Sequence, residues 1–184
     1  MKIDGELQLC ENECDIYEVV GNIYDNPELL KEVVMEKKYK LTSEELSIGH
    51  TTLYRIKALK NFGEVKEGDL GGWIEKESNL SHEGNCWIYE DAKVYDDAKI
   101  YNNAEVYGAA EVFGNAEIYG AAWVFGDARV YGDTKVFGNV EISGNARVYS
   151  HAEISGDVEI YNNAEICGNV KIFGTTKVFG GVIC

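Results

Sequence analysis

The stretch Cys86–Gly120 reads CWIYEDAKVYDDAKIYNNAEVYGAAEVFGNAEIYG, and its spacing decides the fold. Aliphatic residues stand at Ile88, Val94, Ile100, Val106, Val112 and Ile118, every sixth position, and the series continues outward to Val178 for sixteen consecutive hits. No helix has a period of six. Two residues before each aliphatic sits a small or β-branched residue (Cys86, Ala92, Ala98, Ala104 and onward to Thr176), so both point to the same side of an extended strand. Two residues after it comes a turn slot, glycine in eleven of the sixteen hexads and asparagine at Asn102 and Asn162. These residue types tolerate positive φ. Each hexad is therefore a short strand and a corner, and three of them close an 18-residue triangular coil.

The outward slot before each aliphatic tests that coil length, because residues 18 apart stack at about 4.8 Å. One side reads Lys99, Glu117, Lys135, Glu153, Lys171, alternating in sign as cross-strand charge pairing favours. The second reads Lys93, Glu111, Arg129, Arg147, Glu165, and the third Trp87, Glu105, Trp123, Glu141, Glu159, Lys177. The outward slot after each aliphatic is mostly aromatic, from Tyr89 to Phe179, which predicts three ring ladders. Trp87, Tyr107, Trp123 and Phe125 are candidates for an exposed aromatic surface. Ser143, Ser155 and Cys167 interrupt the ladders, one per side, and mark a place for a groove.

Working outward, Ile74 and Leu80 extend the core column backwards, with Gly72 and Ser78 at the small slots, so the solenoid begins near Leu70. The expected fold is all-β, a single-stranded triangular parallel β-helix of about six coils and roughly 29 Å of axis. Residues 37–69 read as a β-hairpin cap, two strands around a turn from Ser43 to His50. Residues 1–36 form an acidic extension with ten acids and two bases, and Asn26-Pro27-Glu28 starts a short helix running from Leu29 to Lys37. Three units are thus expected: 1–36, 37–69 and 70–184.

The chain has 184 residues and a formal charge of −15, with 45% hydrophobic residues, which excludes a disordered acidic tail. Like charge repels a phosphate backbone, so no direct nucleic-acid binding is expected and a protein partner with a basic surface is. Without a leader or an apolar run long enough to span a bilayer, the expectation is a cytoplasmic protein with no membrane contact. Five cysteines without a CxxC pair point to reduced thiols, with no metal site. The apolar stretch Val178, Phe179, Val182, Ile183, Cys184 leaves an open last coil, for which a homodimer is the expected cover.

Beyond the hexads, the segments Lys38-Tyr39-Lys40-Leu41, Tyr54-Arg55-Ile56, Asn61 to Gly68, Gly71-Gly72-Trp73-Ile74 and Asn79-Leu80-Ser81 through Cys86-Trp87-Ile88-Tyr89 give a more specific likeness. Over Lys38 to Cys184 the chain resembles the uncharacterised hexapeptide-repeat proteins of bacteria, prophages and phages often labelled acetyltransferases. The resemblance implies a left-handed β-helix and suggests a phage or prophage context. Acyltransferases of this kind work as trimers with a histidine base in a cleft between solenoids.

Of the three histidines, His50 sits in the expected hairpin turn, His82 in a two-residue insertion between Leu80 and Ile88, and His151 at a corner slot that other hexads fill with asparagine or aspartate. His151 is the weak catalytic candidate. His50 and His82 read as surface turn residues. The corner aspartates Asp91, Asp97, Asp127, Asp133 and Asp157 read as turn formers rather than calcium ligands. A P-loop, a GxSxG elbow and a dinucleotide fingerprint are missing, so no cofactor is expected. Uniform hexads point away from an enzyme. The leading expectation is a non-catalytic binding protein, an inhibitor that blocks a basic nucleic-acid surface of a host defence complex such as CRISPR-Cas. Its partner-binding acids are Asp4, Glu6, Glu11, Glu13, Asp15, Glu18 and Asp25. The alternative is an acyl-CoA-dependent acetyltransferase.

Overall fold

The computed structural model describes residues 36–184. The seven candidate partner-binding acids and most of the expected helix lie outside these residues; Glu36 and Lys37, at its end, are irregular backbone. The described chain is one compact unit, almost all β, with eighteen strands β1–β18 and one 3-10 turn at Glu77–Asn79. Among the described residues no helix is long and apolar enough to cross a membrane.

The strands wind as a parallel β-solenoid of about six coils with an 18-residue repeat. All three stacks expected from the outward slots are in register: Lys99 opposes Glu117 and Glu117 opposes Lys135, Arg129 opposes Glu111 and Arg147, and Trp123 opposes Glu105 and Glu141. The aliphatic column from Ile88 to Ile166 is at most 1% exposed, and the alanines two residues earlier pack beside it. Each Val or Ile so buried contributes about 1.5–3 kcal/mol. Between coils, outward N–H groups donate to the carbonyl 17 residues on, as Tyr107 N to Val124 O at 3.0 Å and Phe125 N to Ile142 O at 2.9 Å. Positive φ occurs at all sixteen turn slots, including Glu90 at 53°, Asp96 at 56° and Ser150 at 68°. Glu90 and Asp96 hold that conformation while their carboxylates accept the N–H of Gly108 (2.9 Å) and Gly114 (3.1 Å) one coil above.

The N-terminal edge is covered by the hairpin. Strand β1 (Tyr39–Ile48) pairs antiparallel with β2 (Thr51–Ala58), and β2 pairs with β3 (Leu70–Ile74), which starts the parallel stack against Lys93–Val94. The turn is only Gly49-His50, shorter than the span expected from Ser43, because a register shift between Leu41 and Glu45 lets both strands run on. Gly72 fits beneath the coil above it: a Cβ there would lie 2.5 Å from Ala92 O.

Three expectations near this cap are corrected. Trp87 is buried, not surface, because Phe62 (5.3 Å between centroids) and Tyr39 (6.1 Å) from the cap pack edge-on against its ring. Ser78 is exposed, and Asn79 takes the buried position, its amide donating to Asp96 O and Ala98 O while Lys76 N donates to its Oδ1. His82 is half-buried and stacked on Tyr39 at 4.3 Å rather than standing free in a turn.

At the other end, β18 (Lys177–Ile183) folds along β16 (Glu159–Ile166) with a register shift after Ile160, so that Ile166 opposes Ile183. The shift also brings Cys167 to Cys184 as a disulfide, with Cα atoms 4.5 Å apart, which corrects the expectation of free thiols there. Cys86 stays a free buried thiol.

Candidate functional site

The side carrying Trp87, Glu105, Trp123, Glu141 and Glu159 holds the candidate site. Its ring ladder runs Tyr89, Tyr107, Phe125, then Ser143, then Tyr161 and Phe179. Phe125 stacks on Tyr107 at 5.0 Å with planes 5° apart, and Tyr161 meets Phe179 edge-on at 4.4 Å. Where Ser143 stands, no ring fills the space between Phe125 and Tyr161. Two coil rises separate these rings, about 9.6 Å. A hollow opens at this place, lined by Glu141, Ser143, Gly144, Glu159, Tyr161 and Asn162.

Charge in the hollow is one-sided. Glu141 and Glu159 face each other directly in the parallel register, an arrangement that costs stability unless a cation intervenes. Lys177 bonds Glu159 at 2.7 Å, whereas the Glu141 carboxylate forms no ion pair or hydrogen bond among the described residues. Trp123, one coil below Glu141, is 42% exposed. Of the four aromatic surface candidates, Trp123 is exposed, Tyr107 and Phe125 are half-buried in the ladder, and Trp87 is covered.

The other two interruptions differ. On the Lys99 side, Tyr101, Tyr119 and Phe137 stack at 4.7 and 4.9 Å, and Ser155 then separates Phe137 from Phe173. The adjacent Glu153 is already bonded to Lys171, which holds its carboxyl below the usual range. On the Lys93 side, Tyr95, Phe113, Tyr131 and Tyr149 stack at 4.8 to 5.0 Å, and Cys167 is closed off by Cys184. Here Arg129 and Arg147 oppose each other and line a second hollow with Asp127, Asn145, Asn163 and Glu165; Arg129 leans on Glu111 at 3.4 Å.

His151 has a partner that spacing did not suggest: its Nε2 lies 3.2 Å from Asp133 Oδ2, one coil below at the same corner. Asp133 also accepts from Asn115 at 2.7 Å, making a corner ladder of three. Asn139 to Asp157 (2.8 Å) and Asn145 to Asn163 (3.1 Å) are built the same way, so the contact follows from the coil repeat. The His151 side chain is 65% exposed, which gives a base no water-excluded setting. Asp91 and Asp97 pair with Arg55 and Lys76. Among the described residues no group of three or more His, Cys, Asp or Glu side chains could hold a metal ion.

Sequence reasoning missed a buried cluster under the cap. The Lys38 ammonium donates to Cys86 O at 2.8 Å, lies 3.2 Å from Cys86 Sγ, and sits 4.9 Å from the Phe62 ring centre. Burial lowers the Lys38 pKa and raises that of Cys86. With its hydrogen bonds going to Cys86 on the first coil and its ring contact to Phe62 within the cap, the cluster anchors the cap. Nothing in a hairpin's polar pattern signals that Lys38 turns inward.

The dimerisation candidates also divide. Val178 is buried in its own coil, while Phe179 (64%), Val182 (67%) and Ile183 are exposed.

The chain matches no protein-family model. Among curated proteins it is similar to one named an uncharacterized acetyltransferase, YdcK, of Escherichia coli strain K12, with 37% identity over 62 residues. That match covers 29% of this chain and 19% of the relative, so the likeness reaches a small part of a longer protein. It is consistent with a hexapeptide-repeat β-helix.

Proposed function

We propose that this chain is a non-catalytic binding protein, a rigid β-solenoid that presents acidic and aromatic surface to a protein partner with a basic face. One observation carries the reading: Glu141 and Glu159 are set directly opposite each other beside exposed Trp123, on a chain of net charge −15. Such a field steers cationic surfaces and repels phosphate. In its finer form the partner is a host defence complex, such as a CRISPR-Cas assembly, whose nucleic-acid channel the acidic protein occupies. The acids from Asp4 to Asp25 would add to the same field. Exposed Phe179, Val182 and Ile183 support a homodimer through the last coil.

The test is capture of a partner with the full chain, followed by competition. The reading expects a protein displaced by duplex DNA and bound about tenfold more weakly, or worse, at 200 mM than at 50 mM salt. Binding indifferent to both contradicts it.

The relative's name favours a second reading, acetyl transfer, in which His151 held by Asp133 is the base. Acetyl-coenzyme A at 100 times its dissociation constant would then stabilise the fold by about 2.7 kcal/mol, and His151→Ala would remove turnover. No thermal shift with acetyl-coenzyme A rules this out in favour of the first.

A further inference from the structure

We infer that the slot over Ser143 is a receptor for a single planar cation, the guanidinium of an arginine side chain on a protein partner. This rests on the proposed binding role and names the chemistry at its centre.

The geometry sets the shape of the guest. The stacked rings of the ladders repeat at 4.7 to 5.0 Å and lie nearly parallel, while in the ladder of the slot Tyr89–Tyr107 (6.2 Å) and Tyr161–Phe179 (4.4 Å) meet edge-on. Removing one ring leaves Phe125 and Tyr161 about 9.6 Å apart, so a flat group at mid-height lies about 4.8 Å from each, within cation–π range. On its far side Phe125 is stacked on Tyr107, and Tyr161 is met edge-on by Phe179. A planar guest thus restores the ladder, and Ser143 keeps the floor low enough to admit it.

Charge sets the kind of guest. Among the described residues the Glu141 carboxylate forms no direct ion pair; it sits opposite Glu159, which Lys177 bonds, and the Lys177 ammonium also feels the Glu141 charge. A guanidinium between the rings presents its N–H fork to Glu141 and relieves the repulsion between the two acids. An ammonium matches the charge but not the flat slot. The interruption at Ser155 lacks an unpaired acid, because Glu153 is bonded to Lys171, and the one at Cys167 is occupied by Cys184. Of the three breaks in the ladders, the one at Ser143 alone combines a gap between rings with a carboxylate that forms no direct ion pair among the described residues.

The experiment titrates the full chain with acetyl-Gly-Arg-Gly-amide and with its lysine and citrulline counterparts, followed by amide chemical shifts and Trp123 fluorescence. The expected result is shifts confined to Phe125, Glu141, Ser143 and Tyr161, with the arginine peptide bound about fivefold more tightly than the lysine one and still more so than the citrulline one. Ser143→Tyr completes the ladder; it lowers affinity about tenfold or more while leaving the melting temperature unchanged or higher. Glu141→Gln weakens binding about fivefold without altering the fold. Unchanged affinity in Ser143→Tyr, or equal binding of arginine and lysine peptides, overturns the slot. A captured basic partner that binds wild type and Ser143→Tyr equally refutes the slot while the broader partner reading stands.

Discussion

Replacing Gly120 by alanine probes the corners on which the coil depends. Gly120 has φ of +75°, and a Cβ there would lie 2.7 Å from Gly138 N and 3.0 Å from Gly138 O, backbone atoms of the next coil. Holding an L-residue in this conformation costs about 1–2 kcal/mol. Alanine also reduces the freedom of the unfolded chain, an offset of about 0.4–1 kcal/mol. The crowding of Gly138 adds to the cost, so Gly120→Ala is expected to destabilise by about 1–2 kcal/mol. Ser150 provides the opposite case. It has φ of 68°, and its side chain makes no hydrogen bond like those of Glu90 and Asp96 to compensate. Ser150→Gly is therefore expected to stabilise by up to about 1 kcal/mol. Urea midpoints at fixed m-value read both effects. A neutral or stabilising Gly120→Ala, or a destabilising Ser150→Gly, would refute the assignment of these slots to obligatory left-handed corners.

Further outcomes follow from single residues. Burial lowers the pKa of His82, so below about pH 6.5 the unfolded chain takes up protons before the folded one and stability falls with falling pH. His82→Gln is expected to lose less between pH 7 and pH 5 than wild type; equal losses would contradict this. Tyr95 is pushed up to about 12 by burial and then by Glu111. The unfolded phenol ionises first, so stability falls as pH rises above about 10, and Tyr95→Phe is expected to lessen that fall in alkaline urea titrations. Thr134 is buried at a small slot and donates to Tyr131 O at 2.7 Å. Since Val140 and Val158 fill the same slot elsewhere, Thr134→Val is expected to cost about 1 kcal/mol or less, whereas Ile118→Ala costs about 2–5 kcal/mol by opening the core. Comparable losses in the two would argue against the column assignment.

The repeat was legible because one rule acts at every coil: an inward aliphatic, a small residue beside it and a corner that needs positive φ. The charge columns through Lys99 and Lys93 were legible for the same reason. Failures cluster where the rule stops. Trp87 occupies an outward slot by period, but the period carries no information about a cap arriving from Tyr39 and Phe62 to cover it. The chain before Leu80 has its own 3-10 turn at Glu77–Asn79, which exchanged Ser78 for Asn79. Cys167 and Cys184 are 17 apart, one short of a coil, and met only because the strand register shifts in the last turn. At the candidate site the missing ring at Ser143 was visible in the sequence, whereas the direct pairing of Lys177 with Glu159 rather than Glu141 was not.

The spiral itself is tested most directly by a distance. Nitroxide labels at Lys99 and Lys171, both exposed and on one side, are four coils apart, and pulsed electron–electron resonance is predicted to give a single narrow distribution near 19 Å, widened by the labels' own length. A broad distribution, or a mean beyond about 35 Å, would contradict an 18-residue coil.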